Sequence, residues 1–494
     1  MTSVLIIGAG IGGIATAARL AKKGFTVTLL EKNEQPGGRC GVMVKDGHRF
    51  DTGATIFLMP ELYKKTFADL GLSLDEELDL QRIDPTYQIF FSDGTKLMLS
   101  SDLNFMQTQL EGIEVGSFGN FLRYLNEGYY NYRKSLDNLV EKESTSLFDV
   151  LNFENIKLFI KSKALLNHYK HVGKYFQDPR LKIAFTFQNM YMGLNPFEAP
   201  AIYSLLQYTE LADGLWYPKG GMYSIVESLV NKAQEYGVEL VFNAEVKQLN
   251  VTNGGVNGLT LANGQQLDAD LVVANADLPY VYDRLLPDKR LADNVQKKKF
   301  GCSTIMFYWA IDQKYPQLSP HNLFMASEES DGFDPVFKDL TIPENPNFYV
   351  HSPVQVDGSL APPGQDSLVV AIPVGHLDSS TNHNWNAQKE RCKQFVINRL
   401  QRIVGEDFVE HIKFEKSYTP KDWRDRYNLV KGATHGLSHA LSQMGYFRPP
   451  NRHPRYKNLY FVGASTHPGT GIPTVLVSAK LTTDRILRDF EIFD

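Results

Sequence analysis

Apolar residues in this chain form short runs separated by segments with helical spacing. Runs at residues 4–7 and 26–30 predict buried parallel strands, and between them Ile14, Ala17 and Ala21 recur three and four residues apart. Similar patterns predict strands at 239–242, 245–249, 269–276 and 459–464, an amphipathic helix after residue 222 and a last helix after residue 475. Strands that alternate with helices are typical of a parallel sheet covered by helices. The pattern therefore predicts an α/β fold with a doubly wound sheet.

The first turn of the chain has the spacing of a dinucleotide-binding loop. Gly8, Gly10, Gly12 and Gly13 lie between the first strand and the first helix, and the second strand ends at Glu31. Gly8 permits the tight turn, Gly10 lets the backbone approach a pyrophosphate, and Gly13 lets helix and strand pack closely. The helix amino terminus offers N–H groups to the phosphates, and Glu31 is placed to accept hydrogen bonds from ribose hydroxyls. A glycine-rich turn without a nucleotide is disfavoured because strand, helix, second strand and acid are all present.

Length and composition restrict the classes of protein that fit. A chain of 494 residues is too long for one compact core, so two or more domains are expected. The formal charge of -5 gives no basic field and argues against a nucleic-acid partner. Cys40, Cys302 and Cys392 are widely spaced, which argues against a disulfide framework or a metal site and fits a reducing compartment. The chain starts without the basic segment of a signal peptide, and no apolar run reaches the length of a membrane span.

A second glycine-rich turn follows the strand predicted at 459–464. Gly463 lies in the end of this strand, and Gly471, Ile472 and Pro473 precede the last helix. A strand-to-helix turn of this kind aims backbone N–H groups at a cofactor, although the same composition can be purely structural. Its pairing with the amino-terminal motif favours a cofactor site built from both ends of the chain.

Several motifs carry a resemblance to a known family. Residues 35–39, with two glycines followed by Arg39, resemble the extension found in flavoproteins of the amine oxidase and phytoene desaturase superfamily. Residues 443–452, 458–463 and 466–469 resemble the carboxyl-terminal signature of bacterial carotenoid desaturases. Further motifs in the family's order lie at 178–181, 187–188, 196–206, 216–222, 312–316 and 359–364. Together they span nearly the whole chain, which is identified as a member of the phytoene desaturase family.

The resemblance implies FAD as the cofactor and two domains. A Rossmann-like FAD-binding domain of the amine oxidase and phytoene desaturase type would comprise 1–75, 216–285 and 441–494. A mixed α+β substrate domain with a helical lid would comprise 76–215 and 286–440. Beyond the residues already named, the implied cofactor contacts are Gly38, Arg39, Thr55, Ile56, Val246 and Asn275.

The implied reaction removes two hydrogens from adjacent carbons of a C40 polyene. One hydrogen would pass as hydride to flavin N5 and the other would leave as a proton. A delocalised cation makes a strong base unnecessary, so no catalytic residue is assigned. His435, His439 and Arg448 are candidates for polar roles, although a histidine on a helix, as predicted for 436–439, is more often structural. With no second dinucleotide motif in the chain, a quinone or O2 is the expected electron acceptor.

Four departures from the common phytoene desaturase pattern favour a later step in carotenoid biosynthesis. They are Cys40, Ala54, Thr470 and Thr474. These departures favour 3,4-desaturation of a hydroxylated or monocyclic carotenoid of the 1'-hydroxy-γ-carotene type. The alternatives are a phytoene desaturase that converts phytoene to lycopene, a flavin amine oxidase, and a non-enzymatic prenyl-binding protein on the same fold.

A basic and apolar segment in the lid region predicts contact with a membrane surface. Residues 155–177, within the helical region 151–177, contain five lysines, two histidines and no acid. Apolar residues recur at helical spacing, which is typical of a helix lying in an anionic membrane surface; they are Leu158, Leu165, Tyr169, Val172 and Phe176. The alternative is a surface helix packed on the protein's own core. We therefore expect a cytoplasmic protein that is peripheral on the cytoplasmic membrane face.

Overall fold

The computed structural model describes residues 2–143, 153–252, 254–286, 289–378 and 383–491. Its strands are β1 (Ser3–Ile7), β2 (Thr26–Leu30), β3 (Val42–Lys45), β4 (His48–Asp51), β5 (Leu80–Ile83), β6 (Tyr87–Phe90), β7 (Lys96–Leu99), β8 (Leu215–Pro218), β9 (Glu239–Val241), β10 (Val246–Thr252), β11 (Gly255–Leu261), β12 (Gln266–Asp268), β13 (Leu271–Ala274), β14 (Ser303–Ile311), β15 (His321–Phe324), β16 (Phe348–His351), β17 (Asp366–Val374), β18 (Ile412–Tyr418) and β19 (Leu459–Phe461). Its α-helices are α1 (Ile11–Lys22), α2 (Pro60–Asp69), α3 (Leu74–Glu77), α4 (Leu103–Glu111), α5 (Ser117–Ser135), α6 (Phe153–Lys161), α7 (His168–Val172), α8 (Pro179–Ala184), α9 (Leu205–Tyr208), α10 (Ser224–Glu235), α11 (Leu278–Tyr280), α12 (Lys289–Gln296), α13 (Asp334–Phe337), α14 (Trp385–Val404), α15 (Pro420–Tyr427) and α16 (Ile472–Asp489).

A parallel sheet in the order β19-β13-β1-β2-β9 forms the first layer of the fold. Successive residues of β1 point to opposite faces, so Val4 and Ile6 pack against α1, α10 and α16, whereas Leu5 and Ile7 pack against the β10–β12 sheet and the helices that follow β13. Burial on both faces explains why β1 and β13 are uninterrupted apolar runs. The predicted Rossmann-like α/β arrangement is confirmed, although one face is covered by a small antiparallel sheet together with short helices.

A mixed sheet in the order β18-β14-β17-β16-β15-β6-β7 forms the second large layer. Only the β15–β6 pair is parallel within this sheet; its other pairs are antiparallel. The helix α14 covers one face, where Trp309 and Phe348 are buried together with Val396. The inner ends of β14, β16 and β17 face the parallel sheet across a cavity.

The strands are distributed over the segments predicted for the two domains. The parallel sheet draws its strands from 1–75, 216–285 and 441–494, and the seven-stranded sheet draws its strands from 76–215 and 286–440. The antiparallel β5–β8 pair crosses the boundary predicted between residues 215 and 216. The domain boundaries therefore stay a prediction.

Two predicted helices are wrong. The segment 155–177 is not one helix, because α6 ends at Lys161 and a turn separates it from α7; residues 151 and 152 lie outside the described residues. Leu158, Val172 and Phe176 are buried in the core, and both histidines of the segment are buried rather than on a basic surface. Residues 436–439 are not helical either, and Leu437 forms a bridge to Phe300. Among the described residues, no helix is long and apolar enough to cross a membrane.

Candidate flavin and substrate site

One elongated cavity runs from the carboxyl edge of the parallel sheet to the seven-stranded sheet. It holds about 2400 Å³ of space between atoms, including its open mouth. Thirteen of the predicted cofactor residues line it: Gly8, Gly10, Gly12, Glu31, Gly38, Arg39, Thr55, Ile56, Val246, Asn275, Gly463, Gly471 and Ile472. Gly13 and Pro473 lie outside the lining. The fold thus brings together residues from both ends of the chain.

Asn275, directly after β13, is the side chain around which the glycines are arranged. Its Nδ2 donates to the carbonyl oxygen of Gly8 at 3.0 Å. A methyl group on Gly10 would lie 2.9 Å from this nitrogen, and one on Gly12 would lie 2.6 Å from Asn275 Oδ1. A methyl on Gly13 would lie 2.2 Å from the Gly8 carbonyl oxygen, so Gly13 serves close packing of helix and strand rather than contact with the cavity.

Two helices begin at the cavity without a side-chain cap. α1 follows Gly10 and α16 follows Gly471, and neither first turn contains an acid. Pro473 lies in the first turn of α16, where its missing N–H is not needed. The first backbone N–H groups of a helix have no partner within the helix, and its amino terminus carries a partial positive charge, so it favours an anion. The amino termini of α1 and α16 therefore fit a cofactor that has a pyrophosphate and a polar ring edge.

Glu31 and Arg39 place opposite charges in the wall. Glu31 accepts hydrogen bonds from the backbone N–H of Ala9 at 2.8 Å and from the backbone and side chain of Asn33. Arg39 donates to the carbonyl oxygen of Thr434 at 2.6 Å, and burial lowers the pKa of its guanidinium. A partly buried cation bonded to a neutral carbonyl fits a site that receives an anionic group.

The segment after β4 approaches the cavity closely. A methyl on Gly53 would lie 2.0 Å from the Arg39 carbonyl oxygen, which accounts for glycine at this position. Ala54, Thr55 and Ile56 then line the cavity, and Thr55 Oγ1 lies 3.0 Å from the hydroxyl of Tyr349. The segment that carries the implied cofactor contacts Thr55 and Ile56 therefore meets the wall formed by the seven-stranded sheet.

The three polar candidates before the last strand have different positions. Arg448 is buried and donates to the carbonyl oxygens of Thr466, Ser438, Leu437, Gln443 and Ala464. Burial lowers its pKa to about 10, so it stays charged at neutral pH. This arginine holds the 437–443 segment against the loop after β19.

The two histidines precede this arginine in the chain and have different contacts. His439 Nε2 accepts the backbone N–H of Thr470 at 3.1 Å, and a methyl on Gly469 would lie 2.1 Å from it. His439 therefore positions the turn that leads to α16. His435 lines the cavity; burial lowers its pKa to about 4, so it is neutral at pH 7.

The half of the cavity away from the glycines was not predicted from the sequence. Its wall is mainly aromatic and aliphatic: Tyr87, Phe187, Met190, Tyr191, Leu323, Met325, Phe333, Phe348 and Tyr349. These residues come from β6, from β15 and the residue after it, from β16, from the 187–192 turn and from the residue before α13, which are far apart in the chain. The motif at 187–188 marked one edge of this wall, but no local pattern indicated the rest.

Two of the four residues that favoured a later desaturase, Cys40 and Thr474, use their polar groups within the protein. Thr474 Oγ1 donates within the first turn of α16, to the carbonyl oxygen of Thr470 at 2.6 Å. The thiol of Cys40 is buried and donates to the Met222 carbonyl oxygen at 3.6 Å. Such local bonds account for these side chains without a hydroxylated substrate.

Comparisons with known proteins agree with this geometry. The model of the family "Flavin containing amine oxidoreductase" matches residues 11–487. A phytoene desaturase of Fusarium fujikuroi is 41% identical, over 99% of this chain and 89% of that protein. A zeta-carotene-forming phytoene desaturase of Myxococcus xanthus is 40% identical, over 98% of this chain and 93% of that protein. Wild-type putrescine oxidase, solved with putrescine, has the same fold with a TM-score of 0.66 at 15% identity, covering 99% of both chains.

These relatives do not support the expected 3,4-desaturation, since they are phytoene desaturases. They support the cofactor and the reaction class, because the family is flavin-containing and both relatives are phytoene desaturases. The chain therefore belongs to the flavin containing amine oxidoreductase family, in which it is an FAD-dependent carotenoid desaturase.

Proposed function

We propose that the protein introduces double bonds into phytoene rather than into a hydroxylated carotenoid. The observation that carries the proposal is the match of phytoene desaturases over nearly the whole chain. The cavity wall adds support: the hydroxyl of Tyr349 is bonded to Thr55 and His321, and that of Tyr191 to Tyr87 and Glu210. Hydroxyls that already have partners favour a hydrocarbon ligand, because a buried substrate hydroxyl would need a partner of its own.

FAD, when bound, supplies the two-electron acceptor for the desaturation. The chain's residues bind and orient. The amino termini of α1 and α16 and the Arg39 guanidinium provide positive charge at the glycine end of the cavity. Phe187, Met190 and Phe348 provide an apolar wall that holds an extended polyene and excludes water from it.

Expression in two bacterial hosts tests the substrate. One host accumulates phytoene and the other accumulates 1'-hydroxy-γ-carotene. We expect new, more conjugated products from the phytoene host and an unchanged pigment profile in the second host. A longer-wavelength product formed only in the second host would contradict the proposal.

We further propose that the protein is peripheral on the cytoplasmic membrane face and takes its substrate there. On α6, Phe153 and Ile160 are 77% and 72% exposed, and Leu165 in the following turn is 83% exposed. Lys157 and Lys161 lie on the same helix. Exposed apolar side chains beside lysines suit the interface of an anionic bilayer. This exposed set (residues 153, 156, 160, 165 and 166) differs from the stripe predicted from the sequence.

A second cavity next to this surface supports entry of substrate at this place. Leu165 and Leu166 line it together with Phe300, Lys298 and Lys299. Cys302 lines both this cavity and the cavity that holds the predicted cofactor residues, so the two spaces approach each other at this residue.

Sedimentation with vesicles that contain anionic lipid tests the membrane proposal. We expect the Phe153→Asp/Ile160→Asp variant to lose most of its vesicle binding, because two exposed apolar anchors are replaced by charges that the bilayer repels. Val409→Asp, which changes an exposed valine on another part of the surface, is the matched control and should bind as the wild type does. Equal binding by all three proteins would contradict the proposal.

The proposed electron acceptor is a quinone or O2. With carotenoid-reduced protein held anaerobically in vesicles, we expect the flavin absorbance to return on addition of a quinone or of air. A return that requires added NAD would contradict this proposal.

A further inference from the structure

A hydrogen-bonded chain of tyrosines leads from the flavin and substrate cavity to a buried carboxylate. Tyr87 and Tyr191 both line the cavity, and their hydroxyl oxygens are 2.7 Å apart. The Tyr191 hydroxyl also lies 3.0 Å from Glu210 Oε2. When Tyr191 donates to Glu210, the Tyr87 hydroxyl can donate to Tyr191, so the chain is continuous from the wall inward.

Glu210 lies in a π-helical turn, Thr209–Asp213, and has no exposed surface. The groups that face it are uncharged: Tyr191, the Thr86 hydroxyl at 3.2 Å from Oε1, and the side chain of Gln188. Burial raises the pKa of this carboxyl to about 7, and the three hydrogen-bonding side chains lower it in part. A buried acid without a cation is costly for folding, and an apolar residue would fill the same space at lower cost. Glu210 therefore calls for a role beyond packing.

Other buried acids have structural partners. Asp51 accepts hydrogen bonds from the backbone of Met222 and Tyr223 and so holds the glycine turn before α10. Asp366 accepts from the hydroxyl of Ser352 and from the backbone of Ser367 at the end of β17. Neither carboxylate lines the cavity, whereas Glu210 is connected to it through a phenol.

We propose that Glu210 receives, through Tyr191, the proton that the substrate loses when a double bond forms. The inference rests on the proposed desaturation. One C–H bond breaks with its electron pair, for which FAD is the two-electron acceptor. The adjacent C–H bond then breaks, and its electron pair becomes the new C=C bond. The released proton goes to the Tyr191 oxygen as the Tyr191 proton goes to Glu210 Oε2, so the carboxylate becomes a carboxylic acid. The negative charge of Glu210 also stabilises the cation on the polyene before the proton leaves.

In this scheme Tyr191 contacts the substrate and Glu210 is a positioning residue that acts through it. Burial raises the pKa of Tyr191 well above its ordinary value, so the phenol relays a proton rather than staying ionised. Glu210 must be ionised to accept, so the step should slow as the pH falls below about 7.

The test is anaerobic reduction of the FAD-loaded protein by phytoene in vesicles, followed by flavin absorbance over a pH range on both sides of 7. We expect a wild-type rate that rises with pH through an apparent pKa near 7. Glu210→Gln and Tyr191→Phe should each slow reduction by about 100-fold and remove the pH dependence. Tyr191→Phe deletes one oxygen atom and keeps the ring, so it tests the relay even if Glu210→Gln folds poorly.

Tyr349→Phe is the control for a proton path through Tyr191, because it removes the hydroxyl of another tyrosine in the cavity wall. Tyr349 faces the same cavity but is bonded to His321 at 2.6 Å instead of Glu210. We expect its variant to keep the wild-type pH dependence, whatever its rate. A wild-type pH dependence in Glu210→Gln, or its loss in Tyr349→Phe alone, would overturn the proposal.

The pH dependence of protein stability checks the titration of Glu210 without any turnover of substrate. Because the folded-state pKa of Glu210 is raised, wild-type stability relative to Glu210→Gln should fall as the pH rises from about 5 to 8. A constant difference in melting temperature across this range would contradict the assignment of the titrating group. If the wild type is not reduced by phytoene at all, the substrate proposal fails; the relay is then tested with the carotenoid that does reduce it.

Discussion

The contact between Gly10 and Asn275 allows a quantitative test of how the glycine-rich turn between β1 and α1 is packed. Gly10 has φ -71° and ψ 167°, angles that alanine adopts without strain. A methyl group on Gly10 would lie 2.9 Å from Asn275 Nδ2 and 4.0 Å from its Cγ, and it would meet no other residue outside its own stretch of chain within 4 Å. The perturbation is Gly10→Ala, made alone and together with Asn275→Ala.

The geometry sets the expected energies. Gly10→Ala must displace the Asn275 amide by roughly half an ångström, which stretches its hydrogen bond to Gly8 and costs about 1 kcal/mol for the bond and about 1 kcal/mol for crowding. Alanine also lowers the conformational entropy of the unfolded chain, which stabilises the fold by about 0.5 kcal/mol, so the free energy of unfolding should fall by about 1.5 kcal/mol. Asn275→Ala should cost about 1.5 kcal/mol because the Gly8 carbonyl loses its donor. In the double variant the methyl meets no side chain, and the total loss should be about 1 kcal/mol rather than 3.

Urea unfolding with saturating FAD measures these free energies, and fluorescence titration measures FAD affinity. We expect a coupling energy of about 2 kcal/mol between the two substitutions. Losses that simply add would refute the reasoning. A double variant that is as stable as Asn275→Ala but does not bind FAD would show that the methyl blocks the cofactor instead. Gly12→Ala is the comparison, since its methyl also lies 3.0 Å from Val475 Cγ1 and Asn275→Ala should relieve it only in part.

Two further substitutions test buried charges. Arg448→Met should lose bound FAD, because the carbonyl oxygens that accept hydrogen bonds from Arg448 lose a charged donor, whereas Arg448→Lys should keep part of it. The measurement is the FAD that stays with the protein after gel filtration. Equal retention by the two variants would contradict this role of Arg448. Glu127 is bonded to His171 at 2.6 Å and Lys163 at 2.7 Å; although burial raises its pKa, these partners lower it to about 2. Glu127→Gln should lower the free energy of unfolding by about 2 kcal/mol at pH 7, and the difference should shrink as the pH falls below 4.5 toward 2, which urea unfolding at several pH values would show.

Local sequence pattern was sufficient for the parts of the fold whose partners lie nearby in the chain. β1, α1 and β2 follow from two apolar runs and a glycine turn, since backbone geometry and burial on both faces restrict what such a segment can form. The same reasoning failed at 155–177, where helical spacing predicted one helix. Leu158 and Val172 are both buried but lie on two separate helices, an arrangement that periodicity cannot distinguish from one continuous face.

The sequence by itself determined an α/β fold with cofactor segments at both ends, because glycine spacing, strand ends and helix starts are local properties. The resemblance of its motifs to the phytoene desaturase family added FAD as the cofactor. Only the tertiary structure decided that Asn275 excludes side chains at Gly10 and Gly12, and that β6, β15 and β16 together form the apolar wall of the cavity. It also placed Glu210 behind Tyr191, 19 residues away in the chain. Contacts of this kind depend on how strands from distant segments pair and which faces they bury, and no short-range pattern in the sequence records that choice.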